Sequence, residues 1–449
     1  MNDHELRVYE SILGLLPSAD NPTPLVRLNS VVSFQHTRVF AKLEWYNPFG
    51  SVKDRIAANL VHDAEERGTI GPGRKLVEPT SGNTGLGLAM IANAKGYTLR
   101  APLSRAIPQE KRTALRFFGC DVVELDDSLC PAPGAPEGAI ACAMDTARDD
   151  PRFHMLNQYE NEANPDAHAR TTGPEIWRQT EGRVTHFVAG LGTCGTITGT
   201  GAFLKARNAD VQVIGIHPEE GHDIPGVRSL RQLKQTKLYR PEQYDAHAEV
   251  TNREAFEMCR RLHVEESLIA GPSSGMALVG ALRAVPDRPG AIAVVMFPDN
   301  VFKYASSLQR HFPELCPTSD ATDGRPSRAD SLLALLKANS RNPHDTIEPR
   351  ELQERLQRRE DPLVVDVRAP GEYAQVRVPR SVNAPLAALE SGHGSLPDDR
   401  DAPIVTVCNV GQNSITALLV LKSLGYRNVR NLRGGLVAWV EEGFALDRG

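Results

Sequence analysis

Asn47-Pro48-Phe49-Gly50-Ser51-Val52-Lys53-Asp54-Arg55 follows a strand-like run, Arg38 to Trp45, and its Pro/Gly turn delivers one lysine to the start of an amphipathic helix. In that helix Ile56, Ala57, Leu60, Val61 and Ala64 form one apolar stripe, and Gly68 is the expected stop. A lysine at the mouth of a strand-to-helix turn can be held against a ligand, its charge adjusted by burial and neighbours, as an amine that condenses with a carbonyl must be. Most lysines are solvated surface charges, so Lys53 stands out by its company.

Two further glycine/hydroxyl loops follow strand-like segments and precede helical ones. They are Glu78-Pro79-Thr80-Ser81-Gly82-Asn83-Thr84-Gly85 and Gly190-Leu191-Gly192-Thr193-Cys194-Gly195-Thr196. Three such loops suggest one shared pocket. From Thr37 to Asp299, β-rich runs (Val184 to Ala189, Val211 to Ile216, Ala291 to Phe297) alternate with helix-period segments, one expected over Gly85 to Lys95 and ending at Gly96. The fold class read from this is α/β, with open, mostly parallel sheet covered by helices and ligands at the strand ends.

With these segments in view, residues from about Ile12 to about Phe312 resemble the fold-type II pyridoxal-phosphate enzymes, specifically the cysteine synthase and cystathionine β-synthase family. The resemblance also runs through Asn21-Pro22-Thr23-Pro24-Leu25, Asn164-Pro165, Thr171-Thr172-Gly173-Pro174-Glu175-Ile176-Trp177 and Gly271-Pro272-Ser273-Ser274-Gly275. It implies two subdomains of open parallel sheet, pyridoxal 5'-phosphate as cofactor, and Lys53 as the cofactor-bound catalytic lysine. A phosphate dianion wants convergent N–H donors and a helix N-terminus, with glycines allowing close approach. The resemblance therefore makes Gly192, Thr193, Cys194, Gly195 and Thr196 the phosphate cup. Many relatives have glycine at Cys194, and no chemistry is assigned to that thiol.

By the same resemblance Thr80, Ser81, Gly82, Asn83 and Thr84 hold the substrate carboxylate, Asn83 also reaches the cofactor's phenolic oxygen, and Gln158 joins the carboxylate. Ser273 matches the residue facing the pyridine nitrogen; a neutral hydroxyl there favours elimination of a β-substituent over transamination. The implied reaction is β-replacement on O-acetylserine, O-phosphoserine or serine, with a sulfur nucleophile adding second. In Ile224-Pro225-Gly226-Val227-Arg228-Ser229-Leu230-Arg231, Arg228 or Arg231 could receive a phosphate leaving group, although an arginine in such a loop is ordinarily exposed. Cysteine formation is favoured over condensation with homocysteine, because no haem-binding extension precedes Asn21 and no paired regulatory modules follow. S-sulfocysteine synthesis from thiosulfate is a third outcome.

The polar stretch after Cys316 reads as a linker over 316–345, with a short helix at Ser331 to Ala338, between a first domain (1–315) and a second (346–449). The second resembles a single rhodanese domain, through Leu363-Val364-Val365-Asp366-Val367-Arg368, Glu372-Tyr373, Val405-Thr406-Val407-Cys408-Asn409-Val410-Gly411-Gln412-Asn413-Ser414 and Gly434-Gly435-Leu436 with Trp439. Cys408 sits between an apolar strand and a helix with the stripe Ile415, Leu418, Leu419 and Leu421, where loop amides and a helix N-terminus stabilise thiolate and persulfide. The expected role is a sulfur carrier that passes persulfide sulfur to the first domain. Asn413 stands where relatives carry arginine, and Val376-Arg377-Val378 replaces the usual Gly-His-Ile, which disfavours an anionic donor such as thiosulfate and leaves a non-catalytic binding module as the alternative.

The 449 residues carry a net charge of -5, which gives no electrostatic reason to expect nucleic acid, and no apolar run reaches membrane-spanning length. Seven cysteines without metal-ligand spacing fit a reducing compartment, and Met1 to Glu5 lacks signal-peptide character, so the cytoplasm is expected. Nicotinamide binding is disfavoured, because it would leave Lys53 without a role. The expected partners are small molecules (an activated serine, and sulfide or a persulfide donor) and a second copy in a homodimer.

Overall fold

The computed structural model describes residues 8–80, 82–104, 107, 109–125, 138–234, 236–315, 345–358, 362–390 and 396–448. Ser81 and the linker helix expected at Ser331 to Ala338 lie outside them. The chain divides into two compact units, Met1–Cys316 and Pro317–Gly449.

The strands of the first unit are β1 (Leu25–Arg27), β2 (Arg38–Leu43), β3 (Lys75–Val77), β4 (Thr98–Ser104), β5 (Asp121–Leu125), β6 (Phe153–Met155), β7 (His186–Gly190), β8 (Gln212–Pro218), β9 (Ala246–Val250) and β10 (Ile292–Phe297). They make two sheets, β1-β2-β10-β7-β8-β9 and β5-β4-β3-β6. Only β1 runs antiparallel to its neighbour among these described pairs. β10 lies near the centre of the larger sheet, and each residue of Ile292-Ala293-Val294-Val295-Met296-Phe297 is buried, as a parallel strand covered on both faces requires.

The Lys53–Glu66 helix buries the expected stripe, Ile56, Ala57, Leu60, Val61 and Ala64. The next helix spans Asn83–Lys95 and closes on Gly96, whose φ of 78° provides the left-handed C-cap. It begins two residues before the expected Gly85. Asn and Thr favour turns in isolation, but here both enter the first helical turn.

A buried ionic cluster joins these elements. Arg55 donates from Nε to Glu44 Oε2 (2.7 Å) and from NH1 to Glu175 Oε1 (2.5 Å). Its NH2 reaches Glu44 Oε1 (2.9 Å), Glu175 Oε2 (2.9 Å) and Thr23 Oγ1 (3.1 Å). Lys42 Nζ adds bonds to Glu175 Oε2 (2.7 Å), Gln179 Oε1 (2.9 Å) and the Thr23 carbonyl (2.8 Å). Glu44 is fully desolvated, yet Arg55 and Lys42 hold its carboxyl down to about 2. Two cations and two carboxylates balance, so loss of one member strands a buried charge.

In the second unit five strands make a parallel sheet in the order Thr346–Ile347, Val429–Leu432, Ile404–Val407, Leu363–Asp366, Val382–Asn383, and Val376–Arg377 pairs antiparallel with Asp447–Arg448 in a separate ribbon. The Gln412–Ser423 helix buries Leu418, Leu419 and Leu421 against this sheet, and Trp439 is fully buried.

Arg55→Met should lower unfolding stability of the first unit by about 3–5 kcal/mol, the range for breaking a buried ion pair on one side. Denaturant titration checks this, and a loss below about 1 kcal/mol would show the cluster to be dispensable.

Candidate active site

Lys53, the loops after β3 and β7, the segment after β8 and the segment after β10 converge on one cavity of about 370 Å3. They are the carboxyl ends of strands from both sheets, where a parallel α/β sheet leaves its crevice. Of the residues singled out above, Lys53, Thr80, Gly82, Asn83, Thr84, Gln158, Gly192, Thr193, Cys194, Thr196, Arg228 and Ser273 line it.

The turn before Lys53 is fixed from both sides. Asn47 Nδ2 donates to the Glu44 carbonyl (2.7 Å) and carboxylate (2.9 Å), while Asp54 accepts from the Phe49 amide (2.7 Å) and the Ser51 hydroxyl (3.3 Å). Gly50 takes φ of 80°, a conformation that favours glycine. The lysine therefore enters the cavity from a braced turn. Burial pulls its ammonium pKa below the ordinary lysine value, against the opposing pull of the Asp299, Glu44 and Asp54 carboxylates.

In the loop after β3, Thr84 Oγ1 donates to Gln158 Oε1 (2.7 Å) and Gln158 Nε2 donates to the Pro79 carbonyl (3.2 Å), so residues far apart in sequence share one rim. Beneath them the buried Glu78 carboxylate accepts from the amides of Asn157 (2.7 Å) and Gln158 (3.0 Å), and burial raises its pKa to about 7. Asn83 is engaged across the cleft: Nδ2 donates to Asp299 Oδ2 (2.5 Å), and Oδ1 accepts from Lys303 Nζ (3.1 Å).

The loop after β7 comes to the cavity at the start of the Gly195–Arg207 helix. A Cβ on Gly192 would lie 2.5 Å from the Gly226 carbonyl, and one on Gly195 would lie 1.8 Å from Asn164 Oδ1. Gly195 does not line the cavity; its requirement for glycine comes from Asn164. That asparagine donates to Thr193 Oγ1 (3.0 Å), and His168 Nε2 lies 3.1 Å from Thr196 Oγ1. His168 is fully buried, with its pKa pushed down to about 3 chiefly by desolvation, so the ring is neutral. Cys194 holds φ of 70°, the left-handed region that favours glycine, and burial raises its thiol to about 12.

Arg228 is buried, not exposed. Its guanidinium stacks 4.5 Å from the Tyr159 ring centre and NH1 donates to Thr236 Oγ1 (2.9 Å). The residues that sequence reasoning missed are Glu110, Lys111, Tyr159, Asp299, Lys303 and Tyr304. Asp299 follows the β10 run directly, so the strand-end rule was the available signal; Lys111 sits within a helix and carries none.

In the second unit, Cys408 follows the Ile404–Val407 strand and is almost wholly buried, at 1% exposure. Its Sγ lies 3.1 Å from the Gly411 amide and 3.2 Å from Ser414 Oγ. The loop is packed under a glycine turn: a Cβ on Gly435 would lie 2.2 Å from the Cys408 carbonyl. Asn413 is exposed. Arg368, paired with Asp366, reaches Asn409 Oδ1 (3.3 Å), and Asn409 Nδ2 donates to Glu372 (3.0 Å).

Because folding raises the pKa of Glu78, its contribution is complete below the ordinary carboxyl range of about 4.3 and is lost as pH rises through about 7. Glu78→Gln should flatten this part of the pH dependence of thermal stability; an unchanged slope would remove Glu78 as its source.

Residues 17–299 match the family model "Pyridoxal-phosphate dependent enzyme", and residues 348–442 match "Rhodanese-like domain". Cysteine synthase B of Salmonella typhimurium is 41% identical over 287 residues, covering 64% of this chain and 92% of that protein. A cysteine synthase of Staphylococcus aureus is 39% identical over 294 residues, covering 64% and 93%. Among solved structures, the cysteine synthase of Entamoeba histolytica superposes with a TM-score of 0.60 at 28% identity, covering 67% of this chain and 90% of that one. O-ureido-L-serine synthase superposes with a TM-score of 0.60 at 31% identity, covering 73% and 99%. The chain belongs to the pyridoxal-phosphate dependent enzymes and carries a rhodanese-like domain after that region.

Proposed function

We propose that the first unit makes L-cysteine by β-replacement on an activated serine, and that Cys408 of the second unit carries sulfane sulfur for it. The observation that carries this reading is the convergence of Lys53, the Thr80–Thr84 rim with Gln158, and the Gly192–Thr196 loop on one cavity. Similarity to cysteine synthases supports the reaction class.

The donor set fits pyridoxal phosphate. Gly192 and Gly195 stand where side chains would collide with Gly226 and Asn164, and Asn164 and His168 each engage a threonine hydroxyl of the cup. Gly192, Thr193, Cys194, Gly195 and Thr196 would hold the phosphate, Ser273 the pyridine nitrogen, Asn83 the phenolic oxygen and Lys53 the aldehyde carbon. When bound, the cofactor supplies an electron sink for the Cα–H bond. Thr80, Ser81, Gly82, Asn83, Thr84 and Gln158 bind and orient the substrate carboxylate. Lys53, biased by burial toward its neutral amine, takes the Cα proton at Nζ and returns it at the product stage. The Ser273 hydroxyl, uncharged, directs the site toward loss of the β-substituent rather than transamination.

The basic Arg228, Lys111 and Lys303 line the cavity with the acidic Glu110 and Asp299, so that basic groups outnumber acidic ones beside Lys53. They favour an anionic leaving group or nucleophile, so O-phosphoserine as donor and thiosulfate as a second acceptor, yielding S-sulfocysteine, are supported by charge. Condensation with homocysteine draws no such support.

Sulfur loading at Cys408 needs a donor that does not depend on the missing loop arginine, and a low-molecular-weight persulfide meets that condition. A thiol then attacks Cys408 Sγ, releasing the terminal sulfur as hydrosulfide and leaving a mixed disulfide, so electrons balance. The first unit is read as a cytoplasmic homodimer, following the resemblance; among the described residues no helix is long and apolar enough to cross a membrane.

Product chromatography with O-acetylserine and O-phosphoserine, each against sulfide, thiosulfate, homocysteine and a persulfide, tests the reading. Cysteine from sulfide is expected with at least one donor; cystathionine as the dominant product would overturn it. Arg228→Ala should depress kcat/KM with O-phosphoserine at least ~10-fold more than with O-acetylserine, about 1.4 kcal/mol of selective transition-state loss. Cys408→Ser should abolish cysteine formation from persulfide while sparing that from sulfide, and equal effects on both would remove the sulfur-carrier role.

A further inference from the structure

We propose that Asn431 sets the acidity of Cys408 by competing with its sulfur for the single hydroxyl proton of Ser414. The inference rests on the reading of Cys408 as a sulfur carrier. Ser414 Oγ lies 3.2 Å from Cys408 Sγ and 2.5 Å from Asn431 Oδ1, and all three side chains are buried. The amide orientation is fixed at its other end, where Asn431 Nδ2 donates to the Gly411 carbonyl (3.4 Å); a flipped amide would set two carbonyl oxygens against each other. Ser414 is itself held, since Thr406 Oγ1 donates to its carbonyl (2.8 Å).

A hydroxyl has one proton and cannot serve both acceptors. With Cys408 as a thiol the network closes: S–H donates to Ser414 Oγ, Ser414 O–H donates to Asn431 Oδ1, and the Gly411 amide donates to sulfur. With Cys408 as a thiolate the sulfur wants a second donor, and among the described residues the Ser414 hydroxyl is the side chain placed to give it. Turning it to sulfur leaves Ser414 Oγ and Asn431 Oδ1 2.5 Å apart with no proton between them, which is costly in a buried site. Asn431 therefore opposes the thiolate.

The consequence differs along the sulfur cycle. Loading is Cys408–S⁻ plus R–S–SH giving Cys408–S–SH plus R–S⁻: one S–S bond forms, one breaks, and the leaving thiolate takes the electron pair. In the product Cys408 Sγ is neutral again, so the Ser414 proton returns to Asn431. Asn431 thus favours the thiol and the loaded persulfide over the empty thiolate, and holds sulfur on the carrier until an acceptor arrives.

The charged groups packed around the loop are engaged elsewhere. Arg368 pairs with Asp366 and contacts Asn409, Glu372 accepts from Asn409, Arg430 pairs with Glu351, and Arg433 pairs with Glu348. The first turn of the Gln412–Ser423 helix carries no charge. The Ser414 hydroxyl is then the variable donor at the sulfur, and Asn431 Oδ1 is the acceptor that competes for it.

The test is the pH profile of iodoacetamide labelling at Cys408 in the full-length holoenzyme, resolved by peptide mass spectrometry. Access to a buried sulfur scales the rate alike at every pH, whereas thiolate fraction sets the midpoint. Asn431→Leu should lower that midpoint by about one pH unit, the scale of one hydrogen bond gained by an anion, and Asn431→Asp should raise it. In a Ser414→Ala background the Asn431→Leu shift should vanish. No shift in either single variant, shifts of the same sign, or an undiminished shift in the double variant would overturn the proposal. Should Asn431→Leu fail to fold, Asn431→Ala, which removes the acceptor without adding a charge, decides it with and without Ser414→Ala by the same criterion. Failure of the wild-type chain to load persulfide would instead strike the sulfur-carrier reading and leave the midpoint result standing.

Discussion

Arg55, two residues after Lys53, is clamped between two buried glutamates, and the geometry of the active site depends on that clamp. Glu44 follows β2, Arg55 lies in the first turn of the Lys53–Glu66 helix, and Glu175 lies on the Thr172–Gln179 helix, so the ionic cluster ties three elements at one point. Asn47 bonds to Glu44, and Asp54 bonds back to Phe49, so the turn between strand and helix has little room to move. A buried cluster of this kind is weak evidence for net stability, because desolvation offsets much of the attraction. Its value is positional: it fixes where the lysine amine stands.

The same economy governs the rest of the cavity. Parallel strands end together, and each end here contributes a short loop; in the one after β7, Gly192 lets backbone crowd against the Gly226 carbonyl. Two sheets contribute, so residues of the smaller one (Asn83, Lys111) meet residues after β10 (Asp299, Lys303, Tyr304) across the opening. The Thr80–Thr84 and Gly192–Thr196 loops are therefore set by different sheets, and Gln158 and Asn164, six residues apart, brace one each. The second unit repeats the logic on a smaller scale, with Cys408 at the end of a buried strand and before a helix.

Lys53, the two glycine/hydroxyl loops, Ser273 and Cys408 were legible because turn chemistry is local: a glycine, threonine or cysteine between an apolar run and a helical stripe is visible within ten or so residues. The alternation of strands and helices was legible for the same reason. What lay beyond reach was pairing across distance. Nothing near Glu175 announces Arg55, 120 residues earlier, and nothing near Lys111 announces Tyr304. Arg228 reads as an exposed loop arginine until Tyr159 is seen to cover it. Likewise Asn431 looks like one polar residue in a strand, and only the fold brings it to the Ser414 hydroxyl.

The most direct measurement of the central claim is borohydride reduction of the reconstituted holoenzyme followed by peptide mapping. The account predicts one phosphopyridoxyl group, on Lys53. Modification at Lys42, Lys111 or Lys303 instead, or no cofactor-derived modification at all, would contradict it.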